Sequence, residues 1–313
     1  MSEETAGWPA LPLAAWEDTR DTLHLWTQIV GKVRLGLEPW VNHSWQIPFY
    51  VNGRGLTTSL MPQGGRGVEM QFDFVRHVLE IRTTDGGERL VPLEPRSVAD
   101  FYGETMTLLA ELEVTVDILP RPVELPTAIP FAEDKVHASY DAGYAHRFWL
   151  SLVQAQRVLT RFRSRFVGKV SPVHFFWGGF DLAVTRFSGR DAPQHPGGIP
   201  NCADWVMQDA YSQEVSSCGY WPAAGAEGVF YAYAYPAPEG FETFPVEPAA
   251  AAYNPDLGEF VLPYEAVRTA ADPDGTLLAF LQTTYEAAAE PGRWDRGHLE
   301  RRLPMTGRSG VEG

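Results

Sequence analysis

The sequence predicts an α+β protein made of two diverged copies of one unit, helix then antiparallel strand meander then helix, with the helices packed on one face of each sheet. Three observations carry that expectation. Val30-Gly31-Lys32-Val33 recurs as Val167-Gly168-Lys169-Val170, 137 positions later. Alternating, strand-like segments follow both copies in the same order, and each series closes with a helix-like segment.

The first element of the second copy is the clearest. Phe148, Leu152, Leu159, Phe162 and Phe166 form an apolar stripe at helical spacing behind Asp141, a candidate cap. Leu25 and Ile29 stand at the shifted positions of Phe162 and Phe166, so a shorter helix is expected in the first copy, with Gly31 and Gly168 as the two helix stops. Trp45, Ile47, Phe49 and Val51 then alternate with Ser44, Gln46, Pro48 and Tyr50, the period of a half-buried strand in which Pro48 marks an edge or bulge. Residues 173–187 are strand-like in the second copy. Residues 67–74 and 228–235 are predicted strands in corresponding places, and 79–93 and 253–262 are predicted hairpins, the first turning at Asp85-Gly86-Gly87. Helices are expected over 97–112 and 274–288, the second begun by Asp272-Pro273-Asp274. Val114, Val116 and Ile118 alternate as one more strand over 113–119.

These elements divide the chain into a first repeat over 1–122, a proline-rich connection over 123–136, a second repeat over 137–300 with an insertion at about 190–214, and a flexible tail over 301–313. With 313 residues, 44% of them hydrophobic, the chain can bury a large core. Met1-Ser2-Glu3-Glu4 is not the start of a secretory signal, and no apolar run approaches the roughly 20 residues of a membrane span. The expectation is a cytoplasmic protein with no membrane partner. Cys202 and Cys218 fit reduced thiols, although a disulfide between them stays open. A formal charge of −15 opposes nucleic-acid binding, and the best basic cluster, Arg157, Arg161, Arg163 and Arg165, reads as the solvated face of a helix.

Duplication supplies a scaffold, so the segment present in only one copy is the better place for a grafted site. The insertion carries His195-Pro196-Gly197-Gly198, Asp204, Trp205 and Asp209. Around it, His174, Asp181, His195 and Glu214 are the candidate acid/base or metal-ligating side chains, because imidazole and carboxylate are the usual proton carriers and ligands. No two histidines have a spacing that places them side by side on one element, so a metal remains an option without support from spacing. On a straight strand His174 and Asp181 would face opposite ways, unless Gly178-Gly179 bends the chain between them. Arg186, Trp177, Tyr211 and Trp221 are candidate substrate-binding residues; a salt bridge is the plainer reading of Arg186. His43 and Cys218 read as packed core residues, Ser212 as a turn residue, and Tyr231, Tyr233 and Tyr235 as a sheet face whose hydroxyls could meet in a cavity. Gln63-Gly64-Gly65-Arg66-Gly67 lacks the lysine and following helix of a phosphate loop and reads as a hairpin; no nucleotide-binding motif is present.

The chain resembles the family catalogued as domain of unknown function 5996. The resemblance rests on Trp8-Pro9-Ala10-Leu11-Pro12, Asn42-His43-Ser44-Trp45, His174-Phe175-Phe176-Trp177-Gly178-Gly179-Phe180-Asp181, Thr185-Arg186-Phe187-Ser188-Gly189-Arg190, His195-Pro196-Gly197-Gly198, and Tyr211-Ser212-Gln213-Glu214-Val215 with Gly219-Tyr220-Trp221-Pro222. It implies no activity. Two functions follow from the residues: a small-molecule enzyme (hydrolytic or acid/base) or ligand-binding protein with its pocket in the second half or between the repeats, or a non-catalytic interaction protein using an aromatic surface. Cofactor and oligomeric state are left unknown.

Overall fold

The computed structural model describes residues 7–301. The tail expected over 301–313 lies outside them beyond Arg301. The first unit consists of helix α1 (Glu17–Leu37), strands β1 (Tyr50–Val51), β2 (Gly55–Thr57), β3 (Met61–Gln63), β4 (Arg66–Asp73), β5 (Val78–Thr83) and β6 (Glu88–Pro92), and helix α2 (Val98–Glu111). Irregular chain then leads to α3 (Ala142–Arg163), β7 (His174–Phe176), β8 (Asp181–Asp191), the short α4 (Asp204–Ala210), β9 (Gln213–Trp221), β10 (Val229–Tyr235), β11 (Ala252–Asn254), β12 (Glu259–Pro263), α5 (Tyr264–Arg268), α6 (Pro273–Ala289) and α7 (Arg296–Leu299).

Both sheets are antiparallel and open. Their orders are β1-β2-β4-β5-β6, with β3 paired to β4, and β7-β8-β9-β10-β12-β11. The expected duplication is therefore present, as two similar sheet-plus-helix units. Caps fix the helix starts: the side chains of Ser97, Asp141 and Asp272 accept from the backbone N–H groups of Asp100, Tyr144 and Gly275.

The register of the repeat differs from the tetrapeptide match. Gly31 lies in the middle of α1, which runs on to Leu37, whereas Gly168 lies beyond the end of α3. Leu37 and Arg163, which end the paired helices, and Gly55 and Asp181, which open β2 and β8, are instead 126 positions apart. Phe49 and Phe175 share that spacing and bond to each other, N–H to carbonyl in both directions, at 2.8 and 2.7 Å. A residue paired antiparallel with its own equivalent is what a local two-fold axis between the units requires, and this bridge joins the sheets edge to edge. The sheet orders also match β10 with β5, and β4 with β9, one strand away from the pairing of 67–74 with 228–235.

Gly31 is required for packing rather than for stopping a helix. A Cβ there would lie 2.3 Å from the Trp177 ring, which fills the space between α1 and the second unit while its Nε1 donates to the Ile47 carbonyl. Two predicted strands are also absent. Residues 44–47 follow a turn in which His43 and Ser44 take left-handed conformations, leaving Phe49–Val51 as the only extended part of that segment. Residues 113–119 form no strand; Glu113 is left-handed at the end of α2 and the chain leaves the sheet. The hairpin at Gly64-Gly65 is as expected, with Gln63 opposite Arg66.

In each sheet, alternate residues face the helices. In the second they are Leu182 and Val184, Cys218 and Tyr220, and Phe230 and Ala232, all in one apolar core with α3 and α6. The opposite face carries Asp181, Ala183, Thr185 and Phe187 from β8, Val215 and Ser217 from β9, and Tyr231 and Tyr233 from β10. α3 and α6 lie on the other face, and what lies over this one is the insertion with its short α4.

Candidate functional site

These outward residues are the floor of a cavity of about 200 Å³. Its roof is the insertion, which contributes Cys202, Val206, Met207, Ala210 and Tyr211. Its wall is Ser44, Trp45 and Ile47 from the first unit, with Glu124 entering from the connection. The site thus belongs to both units, and the segment unique to the second encloses it.

The roof is held down by the first unit. Asp209 accepts from the backbone N–H of His43 (3.0 Å) and from Trp40 Nε1 (3.3 Å), and the Trp40 and Trp205 rings meet at 4.8 Å. His43 Nδ1 donates to the Ala210 carbonyl at 3.0 Å, which leaves Nε2 to accept from Lys169 Nζ at 2.6 Å. Burial lowers the His43 pKa and keeps the ring neutral, as that acceptor role requires. The histidine is packed and satisfied as expected, but it also lines the cavity.

Two carboxylates meet at Gly178-Gly179. This turn folds β7 back on β8, pairs Phe176 with Asp181, and is followed by Phe180 in a left-handed conformation. A Cβ on Gly178 would lie 2.0 Å from Glu124 Oε1, and one on Gly179 would lie 2.8 Å from Asp181 Oδ1 and 3.7 Å from Glu124 Oε2. Glycine at both positions makes the space in which the carboxylates gather. Glu124 is itself left-handed, with its N–H on the Pro200 carbonyl at 2.8 Å. The Gln28 side chain of α1 both donates to and accepts from the backbone of the preceding Val123, at 2.9 and 2.8 Å.

The surroundings set the protonation of the pair. Burial pushes Asp181 up to about 6, against the opposing donation from the Tyr231 hydroxyl. Gly219 permits that bond, since a Cβ there would meet Tyr231 Oη at 2.5 Å. Glu124 is pushed up to about 7, first by close enclosure and then by the negative charge of Asp181, with Lys32 opposing. More than a third of the Glu124 surface still opens to solvent, so water screens it and its shift counts for less in free energy than that of half-buried Asp181. Neither carboxylate has a basic side chain within 4.0 Å among the described residues. Glu259, on the neighbouring β12, is raised to about 7 by burial and by Asp181, and Lys32 is lowered to about 8 by burial. Tyr211 and Tyr233 join hydroxyls at 2.7 Å and stay protonated, burial having raised both.

Of the eight residues singled out from the sequence, Asp181 and Tyr211 line this cavity. His195 stands behind Tyr211, stacked on it at 4.8 Å, with Nδ1 accepting from the Gly197 N–H. The other five lie elsewhere. The bend at Gly178-Gly179 does bring His174 to the same sheet face as Asp181, opposite Ala183, but there it packs against Tyr50 of β1 and Phe176; the residue is 1% exposed and its pKa is pushed down to about 3 by burial and by Arg34 and Arg163. It is no proton carrier near neutrality. Glu214 pairs with Arg190 and accepts from Ser188 beside a separate recess. Arg186 points into the helix-facing core and has no salt bridge among the described residues: its guanidinium lies 3.4 Å over Phe162 and 4.4 Å from the Tyr285 ring centre, and Nη2 donates to the Phe162 carbonyl. Trp177 packs on Gly31, and Trp221 ends β9 opposite Val229, away from the cavity. Both cysteines are free, Cys218 in the core and Cys202 at the cavity. Among the described residues no three His, Cys, Asp or Glu side chains are grouped as a metal ion would need, and no helix is long and apolar enough to cross a membrane.

Glu124 and Lys32 escaped sequence reading. Glu124 sits in a proline-rich stretch that resembles a linker, and Lys32 is inside a helix whose apolar pattern gives no reason to single it out. The tyrosines of β10 were visible as a cluster.

The chain matches the family described as a family of unknown function (DUF5996) over residues 8–301, and it belongs to that family. No curated protein and no solved structure matches it.

Proposed function

We propose that the protein is a small-molecule enzyme that moves a proton, in a hydrolysis or a comparable acid/base reaction, with Asp181 as base and Glu124 as acid. The observation that carries this reading is the convergence of these two carboxylates in a cavity walled by Trp45, Phe176, Phe187 and tyrosines and roofed by the one-copy insertion. Near pH 7 Asp181 is mostly ionised while Glu124 keeps a share of its proton, and two like groups held at different proton affinities can divide the roles of base and acid. Tyr231 steadies the base. The roof and the aromatic floor shield Asp181 from bulk water, while Glu124, more open to solvent, exchanges its proton with it.

The test is a turnover screen on chromogenic esters, amides and glycosides, together with native mass spectrometry for a retained small molecule. For any substrate found, kcat/KM should fall on the acid side as Asp181 gains a proton near pH 6 and on the alkaline side as Glu124 loses its own near pH 7. Asp181→Asn should reduce kcat at least a hundredfold. A variant that keeps its rate and its pH profile sinks the assignment.

A second reading, a non-catalytic interaction protein, draws support from Trp40 and Trp205, which are 44% and 55% exposed and form one aromatic pair on the roof. Under it, Trp205→Ala would abolish a partner complex and Asp181→Asn would leave that complex intact.

A further inference from the structure

We propose that the ligand of this cavity is a primary amine, bound as its ammonium ion between Asp181 and Glu124, with an apolar body lying along β8 and a hydrogen-bonding group reaching Ser44. The inference rests on the proposed function and names its substrate class. Two carboxylates share the space around Gly179, and neither has a cation within 4.0 Å among the described residues. An anion would be repelled, and a neutral molecule would leave their charge, once they ionise, to the more distant Lys32 and the Tyr231 hydroxyl alone. An ammonium ion satisfies both with charge-assisted hydrogen bonds.

The rest of the cavity fits the body of such a molecule. Trp45, Phe176 and Phe187 present ring faces and edges that accept apolar groups and tolerate a nearby cation. Lys169 already holds its ammonium 4.7 Å from the Phe187 ring centre, beside His43 at the far end of this stretch of β8, so positive charge is tolerated there. At about 200 Å³ the space is smaller than the roughly 300–1,000 Å³ of drug-sized sites, which limits the ligand to a small amine.

Ser44 is an independent sign of a ligand. It lines the cavity, is 5% exposed, and its hydroxyl has no hydrogen-bond partner among the described residues. Buried hydroxyls are nearly always paired. A polar group on the ligand supplies the missing partner.

The test is calorimetric titration of the full chain at about pH 6 with phenethylamine, 2-phenylethanol and phenylacetate, in two buffers of different ionisation enthalpy. The amine should bind at least tenfold more tightly than the alcohol, phenylacetate should bind more weakly than either, and amine binding should release protons to the buffer because the ammonium favours the ionised carboxylates. The groups facing the pair are Tyr231 and Tyr233 from β10, Glu259 from β12, Lys32 from α1 and Cys202 from the roof. Of these Glu259 titrates in the same range, so proton release should survive Glu259→Gln. Asp181→Asn should weaken the amine at least tenfold and leave the alcohol unchanged; Glu124→Gln, at a more solvent-open position, gives the same readout should the first variant fold poorly. Tyramine should exceed phenethylamine in affinity, and Ser44→Ala should erase that difference. If the alcohol binds as well as the amine, the amine assignment is overturned while the pocket stands as a ligand site. Failure of all three to bind also overturns it, and the turnover screen then judges the enzyme reading separately.

Discussion

The outer faces of the two sheets handle buried carboxylates in opposite ways. In the first unit Asp73, whose side chain is 0% exposed, pairs with Arg54 and accepts from the backbone N–H groups of Val75 and Arg76. Glu80 is flanked by Arg76 and Arg82. Burial works to raise the pKa of Asp73, but the Arg76 N–H and the Arg54 guanidinium outweigh it and the net shift is downward. In the second unit Asp181 has a tyrosine hydroxyl where Asp73 has an arginine, and its pKa moves upward. The same sheet geometry therefore gives one face on which every buried carboxylate named here is neutralised internally, and another on which the charge awaits something from outside. A buried ionisable group without a partner is costly, and such groups gather where a function requires them.

The largest effect expected from this contrast is in the first unit. Asp73→Asn removes the charge that Arg54 and two N–H groups are built around, and should destabilise the protein by about 3 kcal/mol, read as a fall in the urea midpoint at pH 7. A loss below about 1 kcal/mol would show that the arginine pairing is ornamental and the contrast between the faces empty.

Asp181→Asn should act with the opposite sign. The folded-state pKa of Asp181 is about 6 against an ordinary 3.8, so the acid form is favoured by folding; its stabilisation is fully present below about pH 4 and is lost as the pH rises through 6. The amide cannot ionise. The variant should therefore match the parent near pH 4 and exceed it by about 2 kcal/mol at pH 8, a figure reduced for the partial exposure of the group. Asp73, with its lowered pKa, behaves conversely: its contribution is present above the ordinary carboxylate range and disappears as the pH falls through its folded value. Urea midpoints of both variants relative to the parent, measured from about pH 2 to 8, would draw two different curves: the gain of Asp181→Asn grows between about pH 4 and 7, whereas the loss of Asp73→Asn is flat there and shrinks only below about pH 4; matching curves would contradict the contrast.

Much of the scaffold was legible because it is written in local signals. Asp141, Ser97 and Asp272 cap helices as polar residues before apolar periodicity should, and the hairpins turn where glycine and asparagine cluster. The repeat itself was legible, but its register was not. Val-Gly-Lys-Val is mid-helix in one copy and beyond the helix in the other, and the bridge between Phe49 and Phe175 that gives the true spacing is a contact between residues far apart in the chain. The site divides in the same way. Asp181 was found because it stands shortly before the insertion, and Tyr211 because it lies within it. Glu124 was not, because what makes it matter is the space left by Gly178 and the grip of Gln28 on Val123, both tertiary. His174, Arg186 and Glu214 drew attention by residue type, and each is used by the fold: one shielded neutral, one laid on aromatic rings, one paired with Arg190.

The smallest expected effect concerns the roof, which the first unit lacks over its own outer face. Trp205 is more than half exposed and among the described residues meets one large aromatic, Trp40, so Trp205→Ala should cost under about 1 kcal/mol of global stability. Its local consequence is larger. α4 is one short helix held by the Trp40–Trp205 contact, by Asp209 on His43 and Trp40, and by the Ala210 carbonyl on His43. Removing one of these few ties raises the fraction of time the roof is open without unfolding the floor beneath it, because β9 and β10 are held by their own ladder and core. Hydrogen exchange should therefore quicken over residues 203–212 and stay unchanged over 229–235. Equal acceleration in both segments would mean that roof and floor open as one unit, and the cavity would then have no separable cover.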